Sequence, residues 1–205
     1  MSMMSHFKSF GGFLALLIWL SGCATQQTEQ PTEAQVVEGQ AATTVAPAID
    51  PAVQALFDQG VEAMKQNRLA DARVSFEQIH NQQPDLSGPL LNLGIIAFKE
   101  KDRSRATEFF NKAVETNPSN TEALNFLGVM AREDGKFAES EGFYRKALEV
   151  DPDFASAHLN LGMLLELYLG RLEEALEQYE IYQGLQKEPD PKVKNWIADL
   201  KNRVK

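Results

Sequence analysis

Reactive side chains are few in this chain, and their spacing matters more than their number. The three histidines, His6, His80 and His158, each stand apart from any set that would bind a metal or activate a nucleophile. No glycine-rich phosphate loop, paired-cysteine metal site or HExxH motif is present. The acidic run Glu173, Glu174 and Glu177 falls at helical spacing and reads as a solvated face. The sequence therefore leads us to expect no catalytic residue, no metal, no cofactor and no enzymatic activity. One group remains that could do chemistry. Cys23 is the lone cysteine, so no internal disulfide can form. Its thiol, once ionised, is a strong nucleophile.

The residues before Cys23 give that nucleophile a context. Lys8 supplies a positive start, and Phe13 to Leu20 form an eight-residue apolar run, too short for an ordinary membrane span. Leu20-Ser21-Gly22-Cys23 follows, with small residues that suit a peptidase cleft. This stretch resembles the lipobox of bacterial lipoproteins. The resemblance implies cleavage after residue 22, lipidation of Cys23 and anchoring in the cell envelope. One acyl chain holds a protein to a membrane only marginally, so the three chains of that family would make the anchor firm. Ala24 after the cysteine, where Asp would signal retention, implies the outer membrane and its periplasmic face.

Residues 24–50 are rich in Ala, Thr, Gln and Pro, with no aromatic side chain, Lys or Arg. Such a segment cannot bury enough apolar surface to offset the ordering of its backbone. It reads as a flexible tether with a typical reach of ~30 Å. The whole chain carries a formal charge of −9, and removal of residues 1–22, which hold Lys8 and no acid, makes that −10. A surface of this sign argues against a nucleic-acid partner.

What must position any function is a repeat. Gly60, Gly94, Gly128 and Gly162 are each 34 residues apart, and Pro84, Pro118 and Pro152 keep the same interval. An exact period across this much chain means stacked helix pairs. Leu90, Leu93, Gly94 and Ala97, and again Leu124, Leu127, Gly128 and Ala131, recur at helical spacing. A mid-helix glycine costs about 1 kcal/mol relative to alanine, so its recurrence predicts close helix–helix approach. In the second helices a small residue precedes an aromatic one by four: Ala72 and Phe76, Ala106 and Phe110, Ser140 and Tyr144, Ala175 and Tyr179. Gly135 and Gly170, with Asn67 and Asp102 in the earlier units, mark the turns within pairs. Asp50-Pro51 and Asp190-Pro191 read as N-caps with proline in the first turn, and Ser119 with Glu122 as a capping box.

This pattern resembles the tetratricopeptide repeat family over residues 53–189. The leading apolar positions would be Leu56, Leu90, Leu124 and His158. The family tyrosine of the first helix is replaced by Ala63, Ala97, Ala131 and Leu165, and one extra residue precedes Gly170. The resemblance implies an all-α, right-handed solenoid of four helix pairs at 53–86, 87–120, 121–154 and 155–189. The domain order is then a signal at 1–22, a lipidated tether at 23–50, the repeat domain at 51–189 and a capping helix at 190–205. That last segment is amphipathic, with Val193, Trp196, Ile197, Leu200 and Val204 on one face.

In that family the first helices line a groove. The implied groove positions here are Phe57, Val61, Leu91, Asn92, Ile95, Phe98, Asn125, Val129, Leu159, Asn160 and Met163. The set is apolar apart from three amides, which can both donate to and accept from a peptide backbone. A peptide or amphipathic helix with apolar anchors is the implied ligand. Related repeats clamp a terminal carboxylate with Lys, Arg and Asn, but Phe57, Leu91 and Phe126 stand where several of those charges would fall. The expectation is a lipid-anchored scaffold or adaptor that recruits envelope proteins, without a nucleic-acid or small-molecule ligand. Narrower versions are an assembly factor for a type IV pilus or secretin, and an adaptor for peptidoglycan enzymes.

Overall fold

Residues 50–205 are described by a computed structural model, and the signal, Cys23 and nearly all of the tether lie outside them. Asp50 opens the first helix as an N-cap, its carboxylate accepting from Ala52 N at 2.8 Å, with Pro51 in the first turn. Helices then follow in order: α1 (Pro51–Lys65), α2 (Leu69–Gln82), α3 (Ser87–Lys99), α4 (Arg103–Thr116), α5 (Thr121–Glu133), α6 (Phe137–Val150), α7 (Ala155–Leu164), α8 (Leu172–Leu185) and α9 (Pro191–Arg203). Each first helix packs on its own second helix, and each second helix on the next first helix. The architecture is an α-solenoid of four pairs closed by α9.

The periodic glycines explain the close packing within pairs. A Cβ at Gly60 would stand 2.7 Å from Phe76 Cζ, at Gly94 2.5 Å from Phe110 Cε1, and at Gly162 2.6 Å from Tyr179 Cε1. Gly128 takes Tyr144 in the same way. All four rings are buried. Between pairs, Phe126 of α5 stacks on Phe110 of α4 with centroids 4.8 Å apart and planes 7° from parallel. Burial of such side chains supplies the main driving force, roughly 1.5–3 kcal/mol each.

The turns within pairs share one device. Asn67, Lys101, Gly135 and Gly170 all have positive φ, from 58° to 75°. The residue after each donates back across the helix end: Arg68 N to Ala63 O at 2.8 Å, Asp102 N to Ala97 O at 2.9 Å, Lys136 N to Ala131 O at 2.8 Å. This closes the free carbonyls of the first helix. Lys101, and not Asp102, is therefore the turn residue of the second pair. Asp102 instead caps α4 by accepting from Arg105 N at 3.0 Å. The capping box expected at Ser119 and Glu122 is likewise replaced. Asn120 is the N-cap of α5 and accepts from Ala123 N at 3.0 Å.

The extra residue of the fourth pair has a definite location. The chain widens into a π-helical turn at Leu165–Leu169 before Gly170, and Arg171 N donates to Leu165 O at 2.9 Å. The insertion is absorbed at the end of α7. Tyr179 therefore still reaches Gly162, one residue later than its counterparts reach theirs.

Candidate peptide-binding groove

The first helices α1, α3, α5 and α7 lie side by side, held by specific contacts. Gly88 of α3 faces the Phe57 ring of α1, Phe98 of α3 meets Phe126 of α5 edge-on at 5.7 Å, and Asn160 of α7 bonds Asn125 of α5. Along this row Phe57, Val61, Ile95, Phe98, Val129, Leu159 and Met163 are half-buried and rest on the core clusters beneath. Each keeps part of its apolar surface toward solvent.

Two of the sequence-derived groove residues are placed otherwise. Leu91 is only 8% exposed and belongs to the core between the second and third pairs, and Asn125 is equally covered. The amides are also less free than their chemistry suggested. Asn92 Nδ2 donates to Gly88 O of its own helix at 2.9 Å, and Asn160 Nδ2 donates to Asn125 Oδ1 at 2.9 Å. They pre-organise the row as well as facing it.

A cleft of about 520 Å³ opens at one edge of this row. Val53, Gln54 and Phe57 of α1, Gly88 of α3, and Thr116 and Asn117 at the end of α4 line it. Sequence reading missed Val53, Gln54, Gly88, Thr116 and Asn117. Gly88 was the available signal. It stands in register with Gln54, Glu122 and Ser156, and a Cβ there would come to 3.4 Å from Phe57.

Charge gathers on the second helices. Arg171 donates to Glu141 at 2.8 Å and also to Glu174, and Arg145 bonds Glu141 and Glu174. Burial raises the Glu141 pKa, but hydrogen bonds from Arg145 and Arg171 outweigh it and hold the carboxyl below its ordinary value. Arg73 pairs with Glu100, and Arg103 with Glu133 and Asp134, each bridging neighbouring helices. Exposed pairs of this kind contribute little singly. His158 is buried, with Nδ1 2.8 Å from Gln178 Oε1 and Nε2 2.8 Å from Pro152 O, a bracing role between α7 and its neighbours. Among the described residues no group of three or more His, Cys, Asp or Glu could hold a metal, and no helix is long and apolar enough to cross a membrane.

Family models described as tetratricopeptide repeat match residues 91–149 and 143–177. Those residues therefore resemble tetratricopeptide repeats. The α-solenoid fold is shared with several solved structures. One, described as the functional characterisation of Pseudomonas aeruginosa pilF, is 21% identical over 75% of this chain and 69% of its own, with a TM-score of 0.66. MamA of AMB-1 is 25% identical over 75% of this chain and 82% of its own, at a TM-score of 0.57. A double mutant of MamA from RS-1 is 16% identical over 77% and 87%, at 0.61. No curated protein matches the chain.

Proposed function

We propose that this protein is a membrane-anchored scaffold that captures a peptide or helix with apolar anchors and recruits or assembles cell-envelope proteins. The observation that carries the reading is the continuous row of half-buried apolar side chains across four first helices, from Phe57 to Met163. Tetratricopeptide repeats bind protein partners, and an apolar row favours apolar anchors over a charged terminus. The role is binding and not catalysis. Lipidation of Cys23 would supply the anchor, and residues 24–49 the reach between outer membrane and groove. Likeness to pilF at 21% identity supports the fold alone. Service to a pilus, a secretin or peptidoglycan enzymes are narrower forms of the same reading, separable by neighbouring genes.

Two measurements test it. Radiolabelled palmitate should enter the wild-type protein in bacteria and not Cys23→Ser, which should leave the membrane fraction. In-envelope crosslinking should yield a discrete partner that Ile95→Asp with Met163→Asp loses while its circular dichroism stays helical. Both positions are half-buried, so this pair avoids the core damage expected at Leu91. Unchanged crosslinking in a folded double variant rejects the groove, and unlabelled wild-type protein rejects the anchor.

A further inference from the structure

The cleft beside α1 owes its room to one absent side chain. Gly88 stands where the other pairs carry Gln54, Glu122 and Ser156, and an added Cβ would come to 3.4 Å from the Phe57 ring. With hydrogen alone there, α1, α3 and the end of α4 leave about 520 Å³ between them. That is within the roughly 300–1,000 Å³ of ligand pockets. Val53, Phe57, Ile79 and Pro89 give the cleft an apolar floor. Val53, Ile79 and Pro89 are buried, and Phe57 is held edge-on to Phe76 with ring centroids 5.4 Å apart.

Backbone groups around this floor are unmet. Helix α3 begins without a side-chain cap, and the Ser87 and Gly88 N–H groups make no hydrogen bond among the described residues. At the end of α4, the Thr116 carbonyl accepts none there either. An extended segment carries free N–H and C=O groups that match both, whereas a helix satisfies its own internally.

Charge narrows the occupant further. No Lys or Arg lines the cleft. Asp85 does, exposed and in no ion pair among the described residues. A helix start carries roughly half a positive charge, and Asp50 and Asp85, just before α1 and α3, each bring a full negative one. The end of α4 adds partial negative charge, and its last turn holds no basic residue. The same bias recurs in the connections between pairs. Residues 83–86, 117–120, 151–154 and 186–190 hold Asp85, Asp151, Asp153, Glu188 and Asp190 against Lys187 alone.

We propose that this cleft takes an extended segment of a partner protein in which one large apolar side chain lies next to Lys or Arg. The inference rests on the reading of the row of first helices as a partner surface, of which the cleft is one end. The apolar side chain lies over Val53 and Phe57, the cation meets Asp85, and the segment's backbone pairs with Gly88 N–H and the Thr116 carbonyl.

Fluorescence anisotropy tests it, with the full chain and a fluorescein-labelled synthetic peptide of Gly and Ser around a Lys-Phe-Lys centre. The expected result is saturable binding that is lost when Glu replaces both Lys or Ala replaces the Phe. Gly88→Gln, which installs the side chain of the first pair's counterpart, and Asp85→Lys, at an exposed site, should each weaken binding roughly tenfold with circular dichroism unchanged. Val74→Asp, exposed and outside the lining, should bind as wild type. Absence of saturation, equal affinity for the Glu peptide, or full affinity in either cleft variant would overturn the assignment. Tighter peptide binding on deletion of residues 24–49 would also overturn it, by giving the cleft to the chain's own tether. Failure here, with crosslinking still lost in Ile95→Asp with Met163→Asp, would remove the cleft and leave the apolar row standing. Peptide binding that depends on Gly88 and Asp85, with crosslinking intact in that double variant, would keep the cleft and remove the row.

Discussion

The Phe110 ring lies directly over Gly94, so close that an added Cβ would stand 2.5 Å from Cε1. Close approach of α3 and α4 depends on that missing methyl. Gly94→Ala should therefore destabilise the protein despite a helix-propensity gain of about 1 kcal/mol. Overpacking costs of roughly 1–3 kcal/mol oppose that gain, and Phe110 is fully buried with no room to withdraw. A lowered midpoint in chemical denaturation is the expected outcome. A higher one would show that the ring moves freely.

Tyr144 occupies the same seat over Gly128, but its hydroxyl is buried and has no hydrogen-bond partner. The first two pairs use Phe76 and Phe110 there. Tyr144→Phe removes an unpaired polar group at constant shape and should stabilise by about 1 kcal/mol. Thermal unfolding checks this, and a drop in midpoint would reveal a partner for the hydroxyl.

Acid should weaken the stack through Glu141. Its native pKa is depressed by Arg145 and Arg171, so its contribution is complete above the ordinary glutamate value of 4.5 and is lost as pH falls below it toward the native value. Glu141→Gln should lower stability at pH 7 and converge with wild type as the pH falls below the depressed native pKa of Glu141, where the carboxyl is protonated in both states. Denaturation midpoints across that range decide it. A difference that stays constant with pH would remove the carboxylate from the argument.

The inserted residue at the π-turn is also testable. Leu167 is exposed, and its deletion restores the 34-residue interval of the earlier pairs. The deletion variant should retain cooperative unfolding, with a change of at most ~1 kcal/mol, as for surface alterations clear of the core. Loss of cooperativity would mean that the π-turn is needed to seat Tyr179.

Periodicity alone determined most of the architecture. Repeated glycines, aromatics four residues after small side chains, and evenly placed prolines can satisfy one another only in stacked helix pairs, because a single pair leaves an apolar face uncovered. Caps at Asp50 and Asp190 were equally legible, since an aspartate before proline has few other uses at a helix start. Tertiary structure decided the rest. Whether Leu91 faced a ligand or the core depended on how closely α3 approached its neighbours, which spacing within one helix does not specify. The Asn125–Asn160 bond joins residues 35 positions apart and exists only once α5 and α7 lie together. Trp196 and Ile197 read as the buried face of a cap, yet Trp196 is exposed and Ile197 only half-buried once α9 is packed on α8. Local sequence specifies which face of a helix is apolar, and only the assembled stack specifies how much of that face remains for a partner.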